Sequence, residues 1–341
     1  MSANALPKSS SLPSPLLALL QGHAPKHSAL PPELWRKVLL APVEEILSRP
    51  GKAFRAHLVE AAWRLLGRDD DAPKELAAIV EILHAGSMVV DDIEDGSDTR
   101  RGGPAIHKMF GMPVALNAGN WMYFLPFELL NQMGLPADVQ ALLTNKMLAT
   151  LSACHRGQAL DLALCVGDVE QELVADVVAE TTTLKTGALM GLAAVLGGGA
   201  AGARGKTLEA LDRFGTRLGV ALQKLDDLGN LCGGADPEKR HEDLKNGRLA
   251  WPWAWAAQSL ETEAYDKLVA AARDVQTSRK SQAAGIEWLS ARLKAVAGAE
   301  RRAAIAAEVM SSLRDLECVF GRSPTTAFLR NEVSRLEASY G

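Results

Sequence analysis

The segment His84-Ala-Gly-Ser-Met-Val-Val-Asp-Asp-Ile-Glu-Asp95 crowds Asp91, Asp92, Glu94 and Asp95 onto the end of an otherwise apolar run. Asp91 and Asp95 are four apart, so on a helix their carboxylates share one face and can share a hard cation. Carboxylate oxygens suit Mg²⁺, which keeps several waters and bridges to phosphate oxygens rather than sitting in an all-protein cage. Acids at the C-terminal end of a helix oppose its macrodipole, so without a cation the arrangement is locally unfavourable. A solvated acidic helix end is the plainer explanation. Against it stands Met88-Val-Val90, which makes this a buried helix opening into a site.

A second acidic pair, Asp226-Asp227, closes another long apolar run, Phe214 to Asn230, with Gln223 one turn earlier. Alone it is weak evidence. With the first motif it becomes strong, because two such helices facing each other would put metal ligands on both sides of one cleft and clamp a diphosphate. Basic residues stand where an anion would need them. Gly51-Lys52-Ala-Phe-Arg55 opens a helix, whose N-terminus favours phosphate. Arg100 and Arg101 follow the first motif, and Lys239, Arg240 and Arg248 follow the second. Each could be a solvated surface charge. Lys185 is different, because it is embedded between Leu184 and a long apolar run and so calls for a buried anion.

The elements that must position these residues read as helices. Aromatic residues make up 5% of the chain and β-branched runs are nearly absent, which favours helix over strand. Apolar residues recur at helical spacing through 31–48, 54–66, 73–95, 113–133, 137–164, 169–195, 206–231, 248–258, 263–275, 285–297, 301–320 and 325–338. Turn signals fall at 67–71, 96–104, 134–136, 197–205 and 233–238, with no strand pairs. The expectation is one large all-α domain over 30–341 behind a flexible Ser/Pro-rich leader over 1–29, with no signal-peptide pattern. The uncharged stretch Thr186–Ala203 reads as a buried core helix rather than a membrane span.

A chain of 341 residues with 48% hydrophobic and 23% charged residues is not disordered. Its net charge of −4 shows no basic surplus for nucleic acid or an anionic membrane. Cys154, Cys165, Cys232 and Cys318 are scattered without metal spacing and read as reduced thiols in the cytoplasm.

In order along the chain, these segments resemble the trans-isoprenyl diphosphate synthases (the polyprenyl synthetase family), most of all the geranylgeranyl diphosphate synthases of animal and fungal type. The segments are Pro50–Arg55, Asp91–Asp95, Arg100–Gly102, Asn120–Phe124, His155–Asp161, Lys185–Gly187, Gln223–Asn230 and Glu242–Leu244. The resemblance implies an all-α isoprenoid synthase fold with a central cavity, and a homodimer. It implies Mg²⁺-dependent head-to-tail condensation of isopentenyl diphosphate with dimethylallyl, geranyl or farnesyl diphosphate, with about three Mg²⁺ ions per site. Lys52, Arg55, His84 and Arg101 would hold isopentenyl diphosphate; Arg100, Lys185, Thr186, Gln223 and Lys239 would hold the allylic diphosphate. Asp91, Asp95 and Asp226 would ligate Mg²⁺, while Asp92, Asp161 and Asp227 ligate or orient. Arg248 stands where the family usually has Lys, Asn230 where many members have Asp, and Ala56 where Pro often follows. Lys239 and Arg240 compete for one role.

The resemblance also bears on product length. Gly86 and Ser87, five and four residues before Asp91, are small where farnesyl-stage enzymes tend to carry aromatics. Tyr123, Phe124 and His155 match the tunnel floor of the geranylgeranyl subgroup, although all three could be ordinary core residues. The product expected is geranylgeranyl diphosphate, with farnesyl or longer polyprenyl products as the alternative. A class I terpene cyclase is the main rival. It needs no second substrate, which leaves the Lys52/Arg55/His84/Arg101 set unexplained. A regulatory subunit would be expected to lose its acidic ligands.

Overall fold

The computed structural model describes residue 20 and residues 28–232, 241–277 and 282–339. Most of the expected leader, together with Lys239 and Arg240 and the turn over 233–238, lies outside the described residues. The chain divides into two compact units. The first comprises residues 1–57 and 73–134, and the second residues 58–72 and 135–341.

The first unit is built around α4 (Lys74–Glu94) and α6 (Met112–Gln132). Pro73 precedes α4 and Glu75 sits in its first turn, complementing the helix dipole. Its buried residues Leu76, Ile79, Leu83, Gly86 and Val89 fall at the expected three- and four-residue spacing. Against this stripe lies α6, and the two backbones approach closely because both carry glycine at the seam. A side chain on Gly86 would meet Met122 Cβ at 2.8 Å and the Gly119 carbonyl at 3.0 Å; one on Gly119 would meet Val90 at 2.9 Å. Preceding these are α1 (Pro32–Trp35), a π-helical turn over Arg36–Leu40 and α2 (Ala41–Ser48), together spanning the expected first helix.

The turn expected over 96–104 contains a strand pair that the sequence did not suggest. β1 (Thr99–Arg100) pairs antiparallel with β2 (Gly103–Pro104), so Arg101 and Gly102 form a two-residue loop. Both have positive φ (51° and 75°), as a type I′ hairpin turn requires. Such two-residue strands have no periodicity to read. The short α5 (Ile106–Phe110) follows and was missed for the same reason.

α3 (Phe54–Leu65) carries the boundary between the units. In the second unit, α7 (Ala137–Ala163) is followed by α8 (Gln171–Thr182), a π-helical turn over Thr183–Gly187, and α9 (Ala188–Ala200). The single helix expected over 169–195 is thus widened at Lys185-Thr186, and it runs on through Gly197–Gly199, expected as a turn. These glycines stay helical because neighbours occupy the places of their side chains: the Val59 carbonyl at Gly197, Leu211 at Gly198 and Leu143 at Gly199. α9 is buried along nearly its whole length. Among the described residues no helix is long and apolar enough to cross a membrane.

α10 (Gly205–Cys232) packs on α9 and leads to α11 (Glu242–Asn246), α12 (Trp251–Ser259) and α13 (Thr262–Thr277). α12 starts at Trp251 rather than 248 because Arg248 bridges Cys165 and Ala250 is extended, with Pro252 opening the helix. α14 (Gln282–Phe320) is broken at Gly298 (φ 54°), matching the two expected helices, and α15 (Pro324–Ser339) closes the chain.

Candidate active site

α4 ends where the acids begin. Asp95 caps it, and its N–H donates to the Asp91 carbonyl at 2.9 Å, so the i,i+4 relation that aligns the two carboxylates holds to the last turn. Asp91 and Asp95 are half-buried, whereas Asp92 is fully buried. The Arg100 guanidinium accounts for Asp92. Its Nε donates to both carboxylate oxygens at 2.8 and 2.9 Å, and its Nη2 makes a further short contact with Asp92 Oδ1. The same Nη2 lies 3.6 Å from Asp91. Asp92 therefore orients Arg100, while half-buried Asp91 and Asp95, one turn apart, carry carboxylates that could hold a cation.

On the same face of α4 as Asp91, two turns earlier, His84 stands among positive charge. Lys52 is exposed and Arg55 half-buried in the first turn of α3. His84 is half-buried, and its pKa falls well below the ordinary value, chiefly through loss of solvent and then through Arg55, Arg101 and Arg100. It therefore stays neutral and presents one N–H. Arg101 is itself lowered by burial, with Glu81 opposing and Arg55, Arg100 and Arg49 adding to the shift. Like charges packed this closely are stable only with an anion among them or with the surrounding fold holding them in place. Ala53 and Arg101 both hold left-handed backbone (φ 51° each), the kind of local strain that clusters at ligand-binding loops.

The second unit carries a hydrogen-bonded chain. Thr186 Oγ1 donates to Gln223 Oε1 (3.0 Å), and Gln223 Nε2 donates to Asp227 Oδ1 (2.8 Å). The Trp251 backbone N–H donates to Asp227 Oδ2 (2.9 Å). Asp227 is buried and its pKa rises well above the carboxylate range, by desolvation first and by nearby Asp243 second. A buried carboxyl already committed to Gln223 and Trp251 is a positioning group; Asp226 beside it is half-buried and carries a carboxylate that could hold a cation. Lys185 Nζ pairs with Asp161 Oδ2 at 2.6 Å, and Arg248 Nη1 donates to the Asp161 carbonyl at 2.6 Å. The π-helical turn that bears Lys185 and Thr186 lies directly on Gly157, where a side chain would stand 2.8 Å from the Lys185 nitrogen.

The residues expected to set product length are placed less uniformly. Gly86 packs against α6, where a side chain would meet Met122 and the Gly119 carbonyl. Ser87 is half-buried and donates to the His84 carbonyl at 2.9 Å. Tyr123 is half-buried, but Phe124 is 65% exposed and His155 is exposed. An exposed ring does not by itself seal an apolar tunnel within one chain. Sequence reasoning missed Arg49, Glu81 and Gly157. The first two are charged residues next to apolar stretches that read as ordinary surface, and Gly157 lay inside a matched segment without a role of its own.

Among the described residues no three His, Cys, Asp or Glu side chains cluster closely enough to hold a metal ion by themselves. The carboxylates of Asp91 and Asp95, one turn apart on α4, are the oxygen donors Mg²⁺ takes, one or two at a time with water and phosphate oxygens completing the shell.

The chain matches the polyprenyl synthetase family over residues 36–286. It is 34% identical over 221 residues to the geranylgeranyl pyrophosphate synthase janG of Penicillium janthinellum, covering 63% of this chain and 57% of that one. It is 30% identical over 275 residues to the geranylgeranyl pyrophosphate synthase of Eremothecium gossypii, covering 74% and 83%. The chain thus spans little more than half the length of the Penicillium relative. A solved structure of a geranylgeranyl pyrophosphate synthase shares the fold, with a TM-score of 0.80 at 20% identity over 96% of this chain and 98% of that one. With 251 consecutive residues matched, including both acidic helix ends and the cationic loops, this chain belongs to the polyprenyl synthetase family.

Proposed function

We propose that the chain condenses isopentenyl diphosphate with an allylic diphosphate, head to tail, and that its main product is geranylgeranyl diphosphate. The observation that carries this reading is the gathering of Arg55, Arg100 and Arg101 around His84, to which the family resemblance adds Lys52 from the neighbouring loop. It is built for a second diphosphate, which an enzyme acting on one allylic substrate alone has no use for. The acidic pairs answer to the other substrate. Asp91 and Asp95 of the first unit and Asp226 of the second would hold Mg²⁺, which when bound would supply Lewis-acid charge to a leaving diphosphate.

The residues of the chain do the remaining work. Arg100, fixed by Asp92, and Lys185, fixed by Asp161, hold the allylic diphosphate as its C1–O bond breaks and the diphosphate departs with the electron pair. Thr186 and Gln223 add hydrogen bonds from an arrangement anchored on Asp227. Lys239, outside the described residues, joins them by the family resemblance. Arg248, whose Nη1 donates to the Asp161 carbonyl, adds a further cation beside Lys185 and Asp161. Lys52, Arg55, His84 and Arg101 hold isopentenyl diphosphate while its double bond attacks the allylic cation. A proton then leaves C2 of the isopentenyl unit for the departed diphosphate. Stabilising charge as it develops is the main contribution such a site makes.

Ser87 and Tyr123 bound the growing chain. Phe124 and His155, exposed on the single chain, act on its length only where a second copy covers them, which the homodimer of this reading supplies. The free thiols of Cys154, Cys165 and Cys318 suit a cytoplasmic enzyme. Neutralising Asp91 and Asp226 together (Asp91→Asn with Asp226→Asn) should cut turnover at least about a thousandfold, roughly 4 kcal/mol of transition-state stabilisation. A double variant within about tenfold of the parent would refute the assignment of the acidic pairs.

A further inference from the structure

Arg49 takes no part in the roles above, yet it is one of the few buried charges in the first unit, at 8% exposure. It is the first residue after α2, where the backbone turns from helix to extended (φ −73°, ψ 144°), directly ahead of the Pro50–Arg55 loop. Its guanidinium has a partner on every side. Nε and Nη2 donate to Glu45 Oε1 at 3.1 and 3.0 Å, one helical turn back. Nη2 also lies 3.2 Å from Met109 Sδ. Nη1 donates to the main-chain carbonyl of Arg100 at 2.7 Å, 51 residues along the chain.

The hairpin is shaped around this side chain. A Cβ on Gly103 would lie 3.0 Å from Arg49 Cζ, so the strand opposite Arg100 needs glycine for the guanidinium to fit beneath it. From the same loop, Gly51 lies so close to the Arg101 guanidinium that a Cβ there would sit 3.1 Å from Nη2. The hairpin holds Arg101 at φ 51°, a conformation an arginine leaves readily unless its surroundings fix it.

We infer that Arg49 is a positioning residue: it bolts the Arg100–Gly103 hairpin to the Gly51–Arg55 loop, so that Arg101 of the one and Lys52 and Arg55 of the other are presented to one isopentenyl diphosphate as a preformed set. This rests on the proposed condensation. A planar, bidentate group suits the task, since one face of the fork holds Glu45 while the remaining nitrogen reaches a carbonyl on a different segment.

The test compares the parent with Arg49→Leu and Arg49→Lys by steady-state kinetics, and by trypsin cleavage after Arg100 and Arg101. Arg49→Leu should raise the KM for isopentenyl diphosphate at least about tenfold, leave kcat within about threefold, and speed hairpin cleavage at least about fivefold. Arg49→Lys separates positioning from charge. It keeps the cation and loses the fork, so a KM close to that of the leucine variant supports the bolt, and a KM equal to the parent's overturns it. Unchanged KM and unchanged cleavage in Arg49→Leu also overturn it. Should Arg49→Leu fail to fold, Glu45→Gln, which weakens the anchor and keeps Arg49, must shift KM and cleavage in the same direction; no shift refutes the inference. A parent enzyme that condenses nothing overturns the proposed reaction instead, and hairpin cleavage then still decides whether Arg49 holds the loop.

Discussion

Asp92 and Asp95 lie three residues apart in one acidic segment, yet their surroundings give them opposite tasks. Asp92 is 1% exposed at its side chain and gripped by Arg100, itself 14% exposed. Removing one partner of a buried pair strands the other charge, so Asp92→Asn should destabilise the fold by about 3–5 kcal/mol, read by chemical denaturation. Asp95→Asn, at a half-buried helix end, should stay within about 1 kcal/mol of the parent while losing most of the turnover. His84 adds a dependence on pH. Its pKa is lower in the folded protein than in the unfolded chain, so below the unfolded value of about 6.5 the unfolded chain binds more protons. The stability it contributes is complete above about pH 6.5 and is lost as pH falls further. Between about pH 7.5 and 5.5 the parent should therefore lose roughly 1 kcal/mol more stability than His84→Gln; equal losses would show that His84 is not held neutral.

At the scale of elements, close helix approach decides more than side-chain chemistry does. Gly157 lies on the π-helical turn that carries Lys185 and Thr186, and the atom in the way of a side chain there is backbone, which cannot rotate aside. Gly157→Ala should lower kcat at least about tenfold, with the circular dichroism of a helical protein retained, because the turn shifts and takes Lys185 off its partner. Gly86→Ala presses on Met122 and Gly119 and should cost about 1–3 kcal/mol as an overpacked seam.

The helices themselves were legible, since burial stripes at three- and four-residue spacing are local. So was the placing of Asp91 and Asp95 on one face at the end of one helix, because a four-residue spacing fixes a shared face. What stayed hidden depends on tertiary partners. The Gly197–Gly199 run looks like a turn until Val59, Leu211 and Leu143 are seen filling its missing side chains. The Arg100–Gly103 hairpin is too short for a period, and Arg49 meets the Arg100 carbonyl from 51 residues away. The hydrogen bonds of Asp92 to Arg100 and of Asp227 to Gln223 and Trp251 appear only in the folded chain.

For the whole molecule, each compact unit holds a complete device of its own. The first has an acidic helix end and a cationic cluster around a neutral histidine; the second has an acidic pair, a Lys185–Asp161 ion pair and a Thr186–Gln223–Asp227 chain. The proposed reaction uses both devices in one turnover, with one substrate's carbon chain lengthened by the other. The most direct measurement is therefore mass spectrometry of the products formed when the purified chain receives isopentenyl diphosphate, Mg²⁺ and farnesyl diphosphate. The account predicts geranylgeranyl diphosphate, formed only when isopentenyl diphosphate and the metal are both present. A cyclised hydrocarbon made without isopentenyl diphosphate, or no product longer than the starter, would contradict it.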